Sequence, residues 1–245
     1  MADQFFATIP RDGTGKKKRL EIHFILYKPA VPGNVGAAAR AIKTMGFNHL
    51  RLITPCDHLG DEARMLAHGS HDILESALLF DDFSSAVADL DLVVCTTAKG
   101  RSAKHDYHSS RSIREQLENK REHLLNVGLL FGTEESGLPN ALILQSDLAM
   151  SIPMAGSYPS LNLAQSVMIT AYELSPLNHL EKPGVPISKS GEGWLTLKMQ
   201  TAQVLNDAGI LEGTPLYHRI MERMATLSAN DIPLFLSVIS RIQKK

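Results

Sequence analysis

The chain has 245 residues, of which 44% are hydrophobic and 21% charged, and its formal net charge is −1. That is enough apolar material for an ordinary globular core, so neither disulfide staples nor a structural metal is needed to hold it. A near-neutral balance excludes a wholly basic nucleic-acid coat, so any RNA contact must come from a local patch.

Residues 1–19 end in four consecutive basic residues, Lys16 to Arg19, and read as a flexible basic lead. Strands are expected at 21–26, 50–53, 77–80, 91–96, 127–131 and 148–152. Helical patterns lie between and after them at 34–46, 60–67, 82–89, 109–124, 138–145 and 160–174. This alternation predicts an α/β domain over 20–175 with a mostly parallel sheet covered by helices. The continuous Val/Leu/Ile runs fit strands buried on both faces.

Residues 176–193 are rich in Pro, Gly and Ser and read as a linker. Beyond it, Trp194, Leu197, Thr201 and Val204 recur at helical spacing, and Pro215 stands at a plausible first helical position. Three helices are expected there, at 194–208, 214–227 and 229–243, making 194–245 a small all-α extension. No run of 18 apolar residues and no signal-peptide pattern is seen, so a membrane partner is not expected and a cytoplasmic location is. Cys56 and Cys95 lack metal or redox spacing and read as free thiols of a reducing compartment.

Ligands of open α/β sheets collect at the carboxyl ends of strands, which directs attention to four segments. In the first, "VPGNVGAAARAIKTMGF", Gly33 and Gly36 allow close backbone approach and Asn34 can cap the helix that follows. The apolar stripe is Val35, Ala38, Ala41, Ile42 and Met45, and Arg40 falls outside it. Taken alone, these residues are explained by a cap plus a solvated arginine. Neither G-x-G-x-x-G nor a P-loop is present, which removes a nicotinamide-dependent oxidoreductase from consideration.

The second segment, "CTTAKGRSAKHDYH", sets Thr96, Thr97, Lys99, Arg101 and Lys104 after a strand. It reads either as a phosphate-sized basic patch or as a surface charge run. The third, "LLFGTEESGL", puts Gly132, Glu134 and Gly137 in a turn that could hold a carboxylate over a pocket. The fourth, "IPMAGSYPSLNLAQSV", opens a helix with Ser160, Leu161 and Asn162, where Ser160 or Asn162 is a natural N-cap.

Taken in this order, the first, third and fourth motifs resemble those of the TrmH branch of the SPOUT methyltransferases, over about residues 20–175. The resemblance implies methylation of a ribose 2′-hydroxyl of RNA with S-adenosylmethionine and without metal, by a homodimer whose domain ends in a deep trefoil knot. The donor would be bound by Thr96, Thr97 and Ala98, by Gly132, and by Ile152, Ser160 and Leu161. Catalytic residues carried over are Arg40, Asn34, Glu134, Ser160 and Asn162. RNA would meet Arg40, Lys99, Arg101 and Lys104, joined by His105 and His108. Arg40 would act either as the base or as a fork gripping phosphate and the developing alkoxide. A guanidinium gives up its proton only with great difficulty, which makes the fork physically easier. Asn34 would hold Arg40 or the ribose, and Glu134 would steer the proton or the fork.

The tail is similar in length and pattern to the C-terminal extension of TrmJ-type tRNA methyltransferases, which act on an anticodon-loop pyrimidine. tRNA is therefore the expected substrate. The alternatives are the same chemistry on rRNA, or a non-catalytic RNA-binding regulatory homologue. The tail's cations, among them Lys198, Arg219, Arg223 and Arg241, are nearly balanced by Asp207, Glu212, Glu222 and Asp231, which implies a modest RNA footprint. The pairs His68/His71 and His105/His108 lack further ligands nearby in sequence.

Overall fold

The computed structural model describes residues 20–98, 106–121, 123–155, 161–179 and 193–243. Its strands are β1 (Glu21–Tyr27), β2 (His49–Ile53), β3 (Leu78–Phe80), β4 (Leu92–Thr96), β5 (Tyr107–Ser109), β6 (Asn126–Phe131) and β7 (Leu148–Ser151). They form one sheet in the order β3-β2-β1-β6-β4-β7-β5, with every pairing parallel. β6 is laid between β1 and β4, and β7 between β4 and β5, so the last two strands enter between strands already placed.

Alternation along each strand sends side chains to two apolar layers. Ile22, Phe24 and Leu26 of β1 join Leu50, Leu52, Leu129 and Phe131 in the larger layer. Ile25 joins Ile53, Val93, Cys95, Leu130 and Ala149 in the smaller one. Burial on both faces is why these strands read as unbroken apolar runs. Arg51 is the exception within β2 and is only 2% exposed. Its guanidinium donates to both Asp89 oxygens at 2.6 and 2.8 Å, to Ala86 O at 2.8 Å and to His23 Nδ1 at 3.2 Å. Burial first, and then the Arg51 charge, pushes the His23 pKa down to about 4, so its ring stays neutral and can accept.

Helices α1 (Pro32–Thr44) and α7 (Leu163–Leu174) cover the larger layer, and α4 (Phe83–Val87) and α6 (Asn140–Gln145) the smaller. α1 is buried along Gly33, Val35, Gly36, Ala38, Ala39, Ala41 and Ile42. A Cβ at Gly36 would run into the Ala63 carbonyl of α2 (Asp61–Leu66), so glycine is what lets these helices touch. α1 starts at Pro32, two residues before the expected boundary. Asn34 therefore lies inside the first turn and is not its cap, which corrects the sequence reading.

Three elements escaped the sequence pattern. β5, Tyr-His-Ser, is a polar edge strand with no apolar run to announce it. α3 (His71–Glu75) is a single short turn that follows α2 directly. α8 (Pro176–His179) lies inside the segment read as a linker, with Leu177 buried and Asn178 Nδ2 donating to Met45 O at 3.1 Å.

In the C-terminal segment, α9 (Gly193–Asp207), α10 (Pro215–Met224) and α11 (Asp231–Ile242) add Trp194, Leu197, Met224, Ile232 and Ile239 to the larger core layer. Trp194 Nε1 donates to Asp91 O at 3.1 Å, and Lys198 pairs with Asp147. A large ring with its one donor satisfied explains how a single tryptophan can seat α9. Among the described residues, no helix is long and apolar enough to cross a membrane.

Candidate active site

A cavity of about 450 Å³ opens at the carboxyl ends of β6, β4 and β7, three adjacent strands. Thr96, Thr97 and Ala98 form one wall, and the turn from Gly132 to Leu138 forms the second. Met150, Ile152, Met154, Leu161 and Leu163 form the third. The predicted donor-binding residues Thr96, Thr97, Ala98, Gly132, Ile152 and Leu161 thus face one space. Ser160 lies outside the described residues, as do Lys99, Arg101, Lys104 and His105. The volume suits a nucleoside-sized ligand, and apolar walls edged by exposed loop backbone are the usual composition of such a site.

The walls are held by backbone geometry. Thr97 N donates to Met150 O at 2.9 Å and Thr96 Oγ1 to Leu130 O at 3.0 Å, which fixes the exit of β4 between its two neighbours. In the second wall, Thr133 and Gly137 exchange backbone hydrogen bonds of 3.2 and 3.0 Å, and Gly137 has φ +69°. A Cβ on Gly132 would strike the Gly137 carbonyl carbon and Leu138 N. Glycine at 132 is therefore required by closure of the turn.

Glu134 points from this turn to the start of α1. Its Oε2 accepts from Ala30 N at 3.0 Å, and its Oε1 from Val31 N at 3.2 Å and Asn34 Nδ2 at 3.1 Å. No side chain of its own caps α1, so an acid about one hundred residues away neutralises its amino end. Burial acts to raise the Glu134 pKa. Hydrogen bonds from Ala30, Asn34, its own amide and Val31 outweigh it and leave the pKa below the usual value. An ionised carboxylate with both oxygens occupied is a poor proton acceptor.

A carboxylate only accepts, so Asn34 must turn its amide nitrogen to Glu134 and its Oδ1 the other way. That oxygen accepts from Asn162 Nδ2 at 2.9 Å. Asn162 in turn caps α7: its Oδ1 accepts from Ala164 N at 2.8 Å, and Gln165 Oε1 accepts from Asn162 N at 3.2 Å. Three motifs far apart in the chain are thereby joined in one hydrogen-bonded line. One N–H and one lone pair of the Asn34 amide are thereby engaged, by Glu134 and Asn162.

Arg40 does not line the cavity. It is exposed on α1, and among the described residues it is paired with no carboxylate, whereas its neighbour Lys43 binds Asp72 at 2.7 Å. Other cations are similarly engaged: Arg64 with Glu75, Arg111 with Glu173, Lys198 with Asp147, and Arg219 and Arg223 with Asp106. Arg219 and Arg223 of the tail thus answer an acid of their own chain. His71 Nε2 meets Arg64 O at 2.9 Å, and His108 is half-buried in β5. Among the described residues, no group of three or more His, Cys, Asp or Glu is placed to hold a metal.

Glu135, Ser136, Met154 and Leu163 are wall residues that the sequence does not single out. The spacing of Gly132 and Gly137 could have indicated the first two, since they lie inside the turn that the two glycines close.

Residues 21–172 match the model of the SpoU rRNA methylase family. The chain belongs to that family. It is similar to the uncharacterized tRNA/rRNA methyltransferase LasT of Escherichia coli, with 33% identity over 226 residues that span 92% of this chain and 98% of LasT. The tRNA (cytidine/uridine-2′-O-)-methyltransferase TrmJ of Pectobacterium atrosepticum is 35% identical over 161 residues, 66% of each protein. Among solved structures, TrmJ from Z. mobilis superposes with a TM-score of 0.62 at 26% identity, covering 90% of this chain and 98% of that one. Likeness to the last over most of both chains takes in the C-terminal helices as well as the family domain.

Proposed function

We propose that this SpoU-family protein methylates the ribose 2′-hydroxyl of a tRNA nucleotide, an anticodon-loop pyrimidine, with S-adenosylmethionine as donor. One observation carries the reading: loops after β4, β6 and β7 converge on a nucleoside-sized cavity, and a line of side chains, Glu134–Asn34–Asn162, ties that cavity to the helix bearing Arg40. The named activity of the TrmJ relatives supports the choice of tRNA and of the 2′-oxygen.

The residues present suit the donor. Ile152, Leu161 and Met150 offer flat apolar contact to an adenine, while the backbone at Thr96–Ala98 and in the 132–138 turn offers amides and carbonyls. When bound, the sulfonium supplies the transferable methyl group. The chain's own part is to orient the ribose and to stabilise charge on its oxygen. Orientation of this kind contributes roughly 7–11 kcal/mol of such a barrier. Glu134, already ionised and hydrogen-bonded, serves as an anchor and not as the base. Arg40, a planar cation that pairs with no carboxylate among the described residues, grips the target phosphate and the developing alkoxide. The hydroxyl proton passes to solvent.

The entry of β6 and β7 between strands laid earlier supports a threaded end to the domain, the deep trefoil knot of the SPOUT class. We take the working unit to be a cytoplasmic homodimer, with residues 20–175 as the methyltransferase domain and 194–245 as its extension. Nucleoside mass spectrometry of a deletion strain tests the substrate. Loss of one 2′-O-methylated nucleoside from the tRNA fraction is expected. A loss confined to rRNA would move the substrate while leaving the chemistry.

A further inference from the structure

The segment after β4 returns to the sheet at Asp106, and α10 meets it there. Asp106 N donates to Glu222 Oε1 at 2.9 Å, and Arg219 Nη1 donates to Glu222 Oε2 at 3.0 Å and to Asp106 Oδ2 at 2.9 Å. Arg223 adds a contact to the same Asp106 oxygen at 3.2 Å. Glu222 is only 3% exposed, although it is a carboxylate on a surface helix. Taking such a group out of water is costly unless its hydrogen bonds are made, so this cluster holds α10 in one place on Asp106.

Asp106 immediately precedes β5, one of the two edge strands of the sheet. β5 pairs with β7, setting Tyr107 beside Ala149, His108 beside Met150 and Ser109 beside Ser151. Met150 lines the cavity, and its carbonyl accepts the Thr97 amide of the opposite wall. A continuous set of contacts thus runs from Glu222 through Asp106 and β5 to two walls of the donor cavity. Tyr107 is the one side chain of this three-residue strand packed against the smaller core layer, so contacts at its start matter to its register.

We infer that Glu222 is a positioning residue for the methyl-donor site: α10 clamps β5 through Glu222 and Asp106, and β5 sets β7 and, through it, the placement of Met150 and Thr97. The C-terminal helices then act on donor affinity as well as on whatever RNA they meet. This inference rests on the reading of the cavity as a donor site.

The test is calorimetric titration of the full-length chain with S-adenosylhomocysteine, well below its melting temperature. Wild type, Glu222→Ala and Glu222→Gln are compared. Gln keeps an acceptor for Asp106 N, so it is expected to bind within about twofold of wild type, whereas Ala is expected to weaken binding about tenfold. Wild-type affinity in a folded Glu222→Ala variant, or equal weakening in both variants, overturns the clamp alone. Failure of wild type to bind overturns the donor site itself and the clamp with it. Should Glu222→Ala not fold, hydrogen exchange on Arg219→Met decides. Faster exchange over 149–152 with β2 and β3 unchanged is expected, and identical exchange over 149–152 contradicts the clamp.

Discussion

Asn34 and Asn162 stand 128 positions apart in the chain and meet side chain to side chain at 2.9 Å. Glu134 fixes which way round both amides lie. The first turn of α1, the cap of α7 and the wall turn after β6 are therefore tied to one another. Asn34→Asp would face the Glu134 carboxylate with a second one. The variant is expected to lose about 1–3 kcal/mol of stability at neutral pH and to recover part of it in acid, as one of the two carboxylates protonates. Chemical denaturation at pH 7 and pH 4 would show this, and equal losses at both would count against the geometry.

Glu134 titrates below its ordinary value in the folded chain. Its contribution to stability is present above the unfolded carboxylate pKa and is lost as pH falls through the lowered folded value. Between those two points, wild type should lose stability more steeply than Glu134→Gln. Melting curves across pH 3–6 compare the slopes, and parallel slopes would mean the carboxylate is not held by these amides.

Gly132→Ala places a methyl group against backbone at Gly137 and Leu138, neither of which can rotate away. The wall turn must open. Donor affinity is expected to fall by at least about tenfold, with a lower melting temperature. Retention of both would show that the turn yields cheaply.

Lys120, at the end of α5 (Ser110–Lys120), is fully buried, and among the described residues its Nζ has no hydrogen-bond partner. Burial brings its pKa down to about 8. Between that value and the ordinary lysine range, the unfolded chain holds the extra proton, so stability rises with pH; below it both states are charged and the penalty is constant. Lys120→Met is expected to stabilise the chain by about 1–3 kcal/mol at pH 7, with the gain shrinking toward pH 10. Denaturation midpoints at the two pH values measure it, and destabilisation at pH 7 would show that the ammonium has a use.

The apolar runs around Ile25, Val94 and Leu129 made the parallel sheet legible, because burial on both faces leaves a pattern no surface strand has. The cavity walls were legible from short motifs at strand ends. What Asn34 does was not, since its partners come from 100 and 128 residues away and no local spacing encodes them. β5 was hidden because an edge strand needs few apolar residues. The packing of α9–α11 onto the larger core layer was hidden by the proline- and glycine-rich stretch before them, which in sequence reads as a gap.

The division of labour between cavity and Arg40 is tested most directly by one paired measurement: calorimetry with S-adenosylhomocysteine and tritium transfer from labelled donor to tRNA, on wild type and Arg40→Ala. Donor affinity within about twofold in both proteins, with transfer reduced in the variant by about a thousandfold or more, is the expected result. Full transfer by Arg40→Ala, or no donor binding by wild type, would contradict it.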